Sequence, residues 1–256
     1  LRVLAVKDSV NPAGWVTLGN EARIEGRFSE RREALDRAMQ DNSAGDPQEL
    51  SDVHYQHFLL YKDMGNFDEA VAAWERAVSG DPGKSVTIRD LYSMLTDAGR
   101  YGQAQQYIAQ DENPLQSGFQ RGLIAQLTGS STKARDEWQA VGDLKPRSFE
   151  YGHDCWVEAV LRLGDSEPAL QELQELLTTH QTPRLLVLAG MAWAMRDDLE
   201  LAKALIQQAI NQLRRQRPPK QKLDSADWRL LNSLITDEKI KAELKPYFAV
   251  VETVWG

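Results

Sequence analysis

The sequence predicts an all-α fold: about six helix-turn-helix units stacked as an α-solenoid and closed by a C-terminal capping helix pair. Three observations carry this reading. Turn positions fall at 26, 65, 99, 129, 164 and 197, spaced 39, 34, 30, 35 and 33 residues apart. Between them, apolar and aromatic residues recur with the 3.6-residue period of amphipathic helices. Small residues stand in phase within the units, where two helices must approach closely. One such unit cannot bury its own apolar face, so stacked copies are required.

Ser51 to Lys84 is the most regular copy. Its first helix carries Tyr55, Phe58, Leu59 and Tyr61. Gly65-Asn66 supplies the turn, since a residue without Cβ takes a positive φ at little cost. Phe67 folds back, and Ala70, Val71, Trp74, Ala77 and Val78 form the apolar stripe of the second helix. Asp81-Pro82-Gly83 stops it. The string Tyr61, Gly65, Phe67, Ala70, Trp74, Ala77, Pro82 resembles the tetratricopeptide repeat (TPR). Phe58 departs from it, because the family often has Gly there.

The other units follow the same register. Leu1 to Val10 is apolar with interspersed charge and reads as a docking segment or the end of an earlier helix. Asn11-Pro12 then looks like a cap with proline at the first helical position. The first unit holds Trp15, Leu18, Gly19, Ala22, Gly26, Phe28, Leu35 and Ala38. Arg31 stands where the second helix usually has Ala, which predicts looser packing or a local shift in register. Asp41 to Gln48 is a polar linker. Leu91, Leu95, Gly99, Tyr101, Ala104 and Ile108 mark the third unit, cut short at Asn113-Pro114. Gly122, Ala125, Gly129, Ala134, Trp138 and Val141 mark the fourth. Trp156, Val160, Gly164, Ala169, Leu173 and Leu176 follow, then Gly190, Trp193, Asp197, Leu199, Ala202, Ile206 and Ala209. Asp197 takes the place of the turn glycine. The linker near Ser43 and the shortened helix before Pro114 account for the irregular spacings. Repeats therefore occupy 12–213 of a single solenoid domain. Pro218-Pro219 breaks the pattern, and 224–255 reads as two capping helices with Trp228, Leu231 and Leu234 on one face. Tyr247, Phe248 and Trp255 are many aromatics for a solvated end, so they pack back or meet a neighbour.

Among the 256 residues, 42% are hydrophobic and 27% charged, and the formal net charge is −8. An acidic balance argues against nucleic acid as a partner, since phosphate neutralisation needs a basic face. The longest apolar run, Leu185 to Met195, is too short to span a bilayer. One cysteine, Cys155, excludes an internal disulfide and fits the cytoplasm, and a cysteine-poor periplasmic protein would read the same. The first residue is Leu1, so a fragment of a longer chain is expected.

Sequence patterns for chemistry are weak. Gly83-Lys84-Ser85 lacks the earlier glycine of a phosphate loop, because Val78 stands there. His54 and His57, near Asp52, begin no metal site, since no further ligand is spaced to join them. They read as histidines facing the inside of their unit. His153 and Cys155 lie two apart and so point to different helix faces. No G-x-S-x-G, H-E-x-x-H or G-x-G-x-x-G occurs. No enzyme activity, cofactor or metal is expected. The basic run Arg214, Arg215, Arg217, Lys220 and Lys222 reads as solvated cations at a helix C-terminus.

The TPR resemblance implies a right-handed superhelix whose first helices line a concave groove for a peptide or partner protein. By register, the groove positions are Asn20, Arg23, Tyr55, Leu59, Lys62, Arg89, Ser93, Phe119, Leu123, Asp154, Glu158, Val187 and Met191. A peptide with aliphatic or aromatic anchors suits them. The two-carboxylate clamp of the chaperone-binding subclass is not expected, because Val16 stands where its Lys should be. The implied function is a protein-interaction scaffold or adaptor. The alternative is a regulatory or substrate-recruiting module of a larger enzyme or assembly complex, membrane-anchored or not. The apolar termini add homo-oligomerisation as a further expectation.

Overall fold

The chain adopts an all-α repeat fold. The computed structural model describes residues 12–24, 27–41, 46–144, 146, 152–215, 225–234 and 237–248. Among them, fourteen α-helices follow one another. The chain forms two compact units, Leu1–Met94 and Leu95–Gly256.

The first unit holds α1 (Pro12–Ile24), α2 (Phe28–Asp41), α3 (Pro47–Met64), α4 (Phe67–Gly80) and the start of α5 (Ile88–Asp97). Asp46 caps α3 by accepting from the Gln48 amide at 2.9 Å, with Pro47 in the first turn. α4 packs tightly on α3: Ala70, Ala73, Trp74 and Ala77 are buried, and Ser51 donates to the Ala77 carbonyl at 2.6 Å. Trp74 donates to Thr87 at 2.9 Å, which ties α4 to the 3-10 turn Pro82–Thr87 before α5. In the α1–α2 hairpin, Trp15 donates to Asp41 at 2.6 Å and lies beneath the Arg37 guanidinium.

Arg31 does not loosen its seam. Its side chain is fully buried, and its guanidinium donates to Asp63 at 3.0 Å and to the Gln56 carbonyl at 3.2 Å. The long aliphatic stem fills the space that a standard alanine leaves, and the charged end joins α2 to α3.

The second unit continues with α6 (Tyr101–Ile108), α7 (Pro114–Leu127), α8 (Ser131–Gly142), α9 (His153–Leu163), α10 (Ser166–Thr179), α11 (Pro183–Ala194), α12 (Leu199–Arg215), α13 (Ser225–Leu234) and α14 (Glu238–Leu244). Asn113 starts α7 by accepting from the amides of Leu115 and Gln116. Gly122 gives the α7–α8 pair its closeness: a Cβ there would come within 2.6 Å of Trp138 Cδ1. α11 is covered on nearly all sides, with Leu185 to Ala192 buried without a break. α13 packs against it. Phe248 turns back onto Trp228, ring centroids 5.0 Å apart. Arg214 at the end of α12 pairs with Glu243 of α14 at 3.2 Å. Gly26, the segment Leu1 to Val10, Asn11, Ser43, Arg217, Pro218, Pro219, Lys220, Lys222 and Trp255 lie outside the described residues.

The turns follow the spacing read from the sequence. Gly65, Gly99, Gly129 and Gly164 have φ of 75°, 73°, 81° and 96°, and Asp197 has φ 61°. A Cβ at any of these four glycines would meet nothing within 4 Å. Backbone conformation, not space, therefore selects glycine, and Asp197 carries left-handed strain that glycine relieves. Asp197→Gly is expected to stabilise the protein by about 0.5–1 kcal/mol in urea denaturation. A loss of stability instead would show that the aspartate side chain contributes more than the strain costs.

Candidate functional site

The expected groove residues separate into two groups. Those of the first unit stay accessible. Asn20 on α1, Tyr55, Leu59 and Lys62 on α3, and Arg89 and Ser93 on α5 are all half-buried. The side chain of Arg23 lies outside the described residues. Positions 55, 59 and 62 fall on one stripe of α3, because residues four and three apart share a helix face. Tyr55 is fixed in place. Its hydroxyl donates to Asp90 of α5 at 3.0 Å, its ring lies 5.7 Å from Phe58, and the Lys84 ammonium stands 5.9 Å above it. Lys84 also pairs with Asp52 at 2.5 Å. The lysine in the middle of the Gly-Lys-Ser string thus packs against the α3 surface.

The expected groove residues of the second unit lie inside it. Phe119, Leu123, Val187 and Met191 are buried. The reason is that α7 and α11 are covered on more than one face, so a position that the repeat register leaves open is closed by a neighbouring helix. Glu158 is also fully buried. It holds Arg162 at 2.5 Å through one carboxylate oxygen and Arg184 at 2.9 Å through the other. Arg184 reaches Asp154 at 2.7 Å. The Arg162 guanidinium lies 5.8 Å from the Phe119 ring centroid and 5.1 Å from that of Trp138. The acidic step at Asp154 and Glu158 is therefore half of an ionic cluster joining α9 to α11.

The remaining candidates are placed as follows. Cys155 is buried in the apolar core of the second unit. His153 pairs through Nε2 with Glu172 of α10 at 2.6 Å and meets the Trp156 ring edge-on. His57 is buried, with Nδ1 3.1 Å from the Val53 carbonyl and Nε2 3.3 Å from Asp36. His54 is half-buried, and burial, then the Arg76 guanidinium, then His57 push its pKa down to about 4. Among the described residues, no three His, Cys, Asp or Glu side chains are grouped to hold a metal ion. No helix among them is long and apolar enough to cross a membrane. The reading of His54 and His57 from the sequence missed their convergence with Asp36 and Arg76, which are 18 residues before His54 and 22 after it. No local spacing signals such a meeting.

No family model matches the sequence, and no curated protein does. Solved structures do match. A tetratricopeptide repeat protein from Parabacteroides merdae is 16% identical, with a TM-score of 0.51 over 95% of this chain and 86% of that one. The APC/C hetero-tetramer Cut9–Hcn1 contains a chain 15% identical, with a TM-score of 0.51 over 97% of this chain and 45% of its counterpart. This chain thus spans less than half of that second relative. With its helical hairpins, left-handed turns and small-residue contacts, the chain has the fold of the tetratricopeptide-repeat proteins.

Proposed function

We infer that this chain is a protein-interaction module that takes an extended or helical segment of a partner on the first-helix face of its first unit. The observation that carries this reading is the preorganised Tyr55, flanked by the half-exposed Leu59 and Lys62. An aromatic side chain already held in one orientation loses little entropy on binding, and such residues dominate interface energetics. Arg89, Ser93 and Asn20 extend the surface on either side with polar and cationic groups. A segment with aliphatic or aromatic anchors matches this face. The reading is non-catalytic, and one placement supports it: Cys155 and His153 are both buried.

The test is selection of peptides from a displayed library on the immobilised chain, followed by affinity measurement with Tyr55→Ala and Leu59→Glu. Each variant is expected to weaken the selected ligands about tenfold or more, as loss of an anchor costs roughly 1–2 kcal/mol. The melting temperature of Leu59→Glu is expected to stay near that of the unaltered chain. Selected peptides that bind both variants as tightly as the original would overturn the reading.

A further inference from the structure

α2, α3 and α4 line an open cleft of about 410 Å³, with Asp36, Met39 and Gln40 from α2, His54, His57 and Tyr61 from α3, and Arg76 from α4. At 100° per residue, His54, His57 and Tyr61 lie about a third of a turn around α3 from Tyr55, Leu59 and Lys62. The cleft is therefore a different surface from the proposed partner face.

Its two formal charges, Asp36 and Arg76, are unequally engaged. Asp36 is engaged by His57 Nε2 at 3.3 Å and by Arg32 at 3.8 Å. Arg76 is exposed and joins no ion pair among the described residues. The His54 imidazole and the Tyr61 hydroxyl make no hydrogen bond there. One unneutralised cation and two groups with spare donor capacity thus line the same opening. Asp36, in the same lining, disfavours a dianion such as phosphate. A singly charged planar group suits both the charge balance and the fork of a guanidinium.

We propose that this cleft binds a carboxylate, with Arg76 supplying the charge and the Tyr61 hydroxyl and His54 imidazole donating hydrogen bonds. The groups that face His54 are Asp36 from α2, His57 and Tyr61 on α3, and Arg76 from α4. Two of these, Arg76 and His57, act with burial to hold His54 at about 4. A bound carboxylate offsets both and draws the imidazole back toward its ordinary value of about 6.5. The complex then carries more protons than the free protein between those two values, so affinity rises as pH falls.

Two probes, each with a single carboxylate, distinguish the source of the carboxylate: propionate, and the peptide acetyl-Glu-amide. Binding is measured by calorimetry at pH 5.5 and 7.5, and the His54 ring resonance is followed by NMR. At least one probe is expected to bind several-fold to about tenfold more tightly at the lower pH. Arg76→Gln is expected to weaken binding tenfold or more at both pH values. It also raises the His54 pKa of the free protein, by removing a neighbouring cation. His54→Gln is expected to weaken binding several-fold, most at pH 5.5, and to abolish its pH dependence. Circular dichroism checks that both variants keep their fold. Binding of the free acid as tightly as the peptide, or more tightly, assigns the site to free acids, and tighter or exclusive binding of the peptide assigns it to an acidic side chain of a partner. The proposal is overturned if neither probe binds at millimolar concentration, or if Arg76→Gln leaves affinity unchanged. Loss of probe binding in Leu59→Glu would move the site to the other face of α3 and overturn it as well. Failure of the peptide selection above leaves these outcomes untouched.

Discussion

Replacing Glu158 by alanine is expected to lower the unfolding free energy by about 3–5 kcal/mol, the range for breaking a buried ion pair. The carboxylate is fully buried and joins two guanidinium groups, and the side chain of Arg162 is itself only 3% exposed. Arg162 stays in the interior because Phe119 and Trp138 flank it and Gln126 accepts from its Nη1 at 3.0 Å. Alanine at 158 leaves that cation desolvated and removes the acceptor of its two shortest bonds. Glu158→Gln keeps the shape and part of the hydrogen bonding, so about half the loss is expected. Urea denaturation of the three proteins provides the measurement. A loss below about 1 kcal/mol for the alanine variant would show that solvent reaches the cluster, as it does in surface pairs.

Phe119→Ala is expected to cost about 3–5 kcal/mol as well, through lost burial and the cavity left behind. The repeat register would make this residue an open groove position, where truncation usually costs within about 0.5 kcal/mol. In the folded protein, its ring lies beneath Arg162, and its carbonyl accepts from Trp138 at 3.3 Å. The same measurement on Leu59→Ala provides the contrast. Leu59 is half-buried, so less than about 1.5 kcal/mol is expected, in line with partial burial of a leucine. Similar losses at the two positions would contradict the division between an accessible face in the first unit and a closed one in the second.

The two variants also show where a repeat register stops being informative. The register identifies the first helix of each hairpin and the side of it that its own second helix does not cover. It does not identify what the next hairpin does to that side. α3 keeps Tyr55, Leu59 and Lys62 accessible, whereas α7 and α11 are buried almost throughout. The run from Leu185 to Met195 foreshadows this burial, since a helix without a polar stripe has no face suited to water. The mixed composition of α7, with Gln116, Ser117 and Gln120 all buried, gives no such warning.

The charged residues divide in the same way. His54 and His57 were legible as residues facing into their unit, because the resemblance to the repeat puts them at its inward-facing positions. Their partners were not. His57 meets Asp36 from a position 21 residues away, Arg31 meets Asp63 across 32, and Arg184 meets Glu158 across 26. Only the folded chain sets these pairs side by side.

By itself, the sequence determined the helical hairpins, their turns and the close contacts of Ala70, Ala77 and Gly122. Those features depend on local physics: the period of a helix, the φ available to glycine and the room a missing Cβ creates. Even the exception at Asp197 kept the left-handed turn. The tertiary structure alone decided which first helices remain open, which charges become buried pairs and where Arg76 and His54 converge. Burial and ionic pairing depend on the neighbour that covers a residue, and that neighbour is distant in sequence.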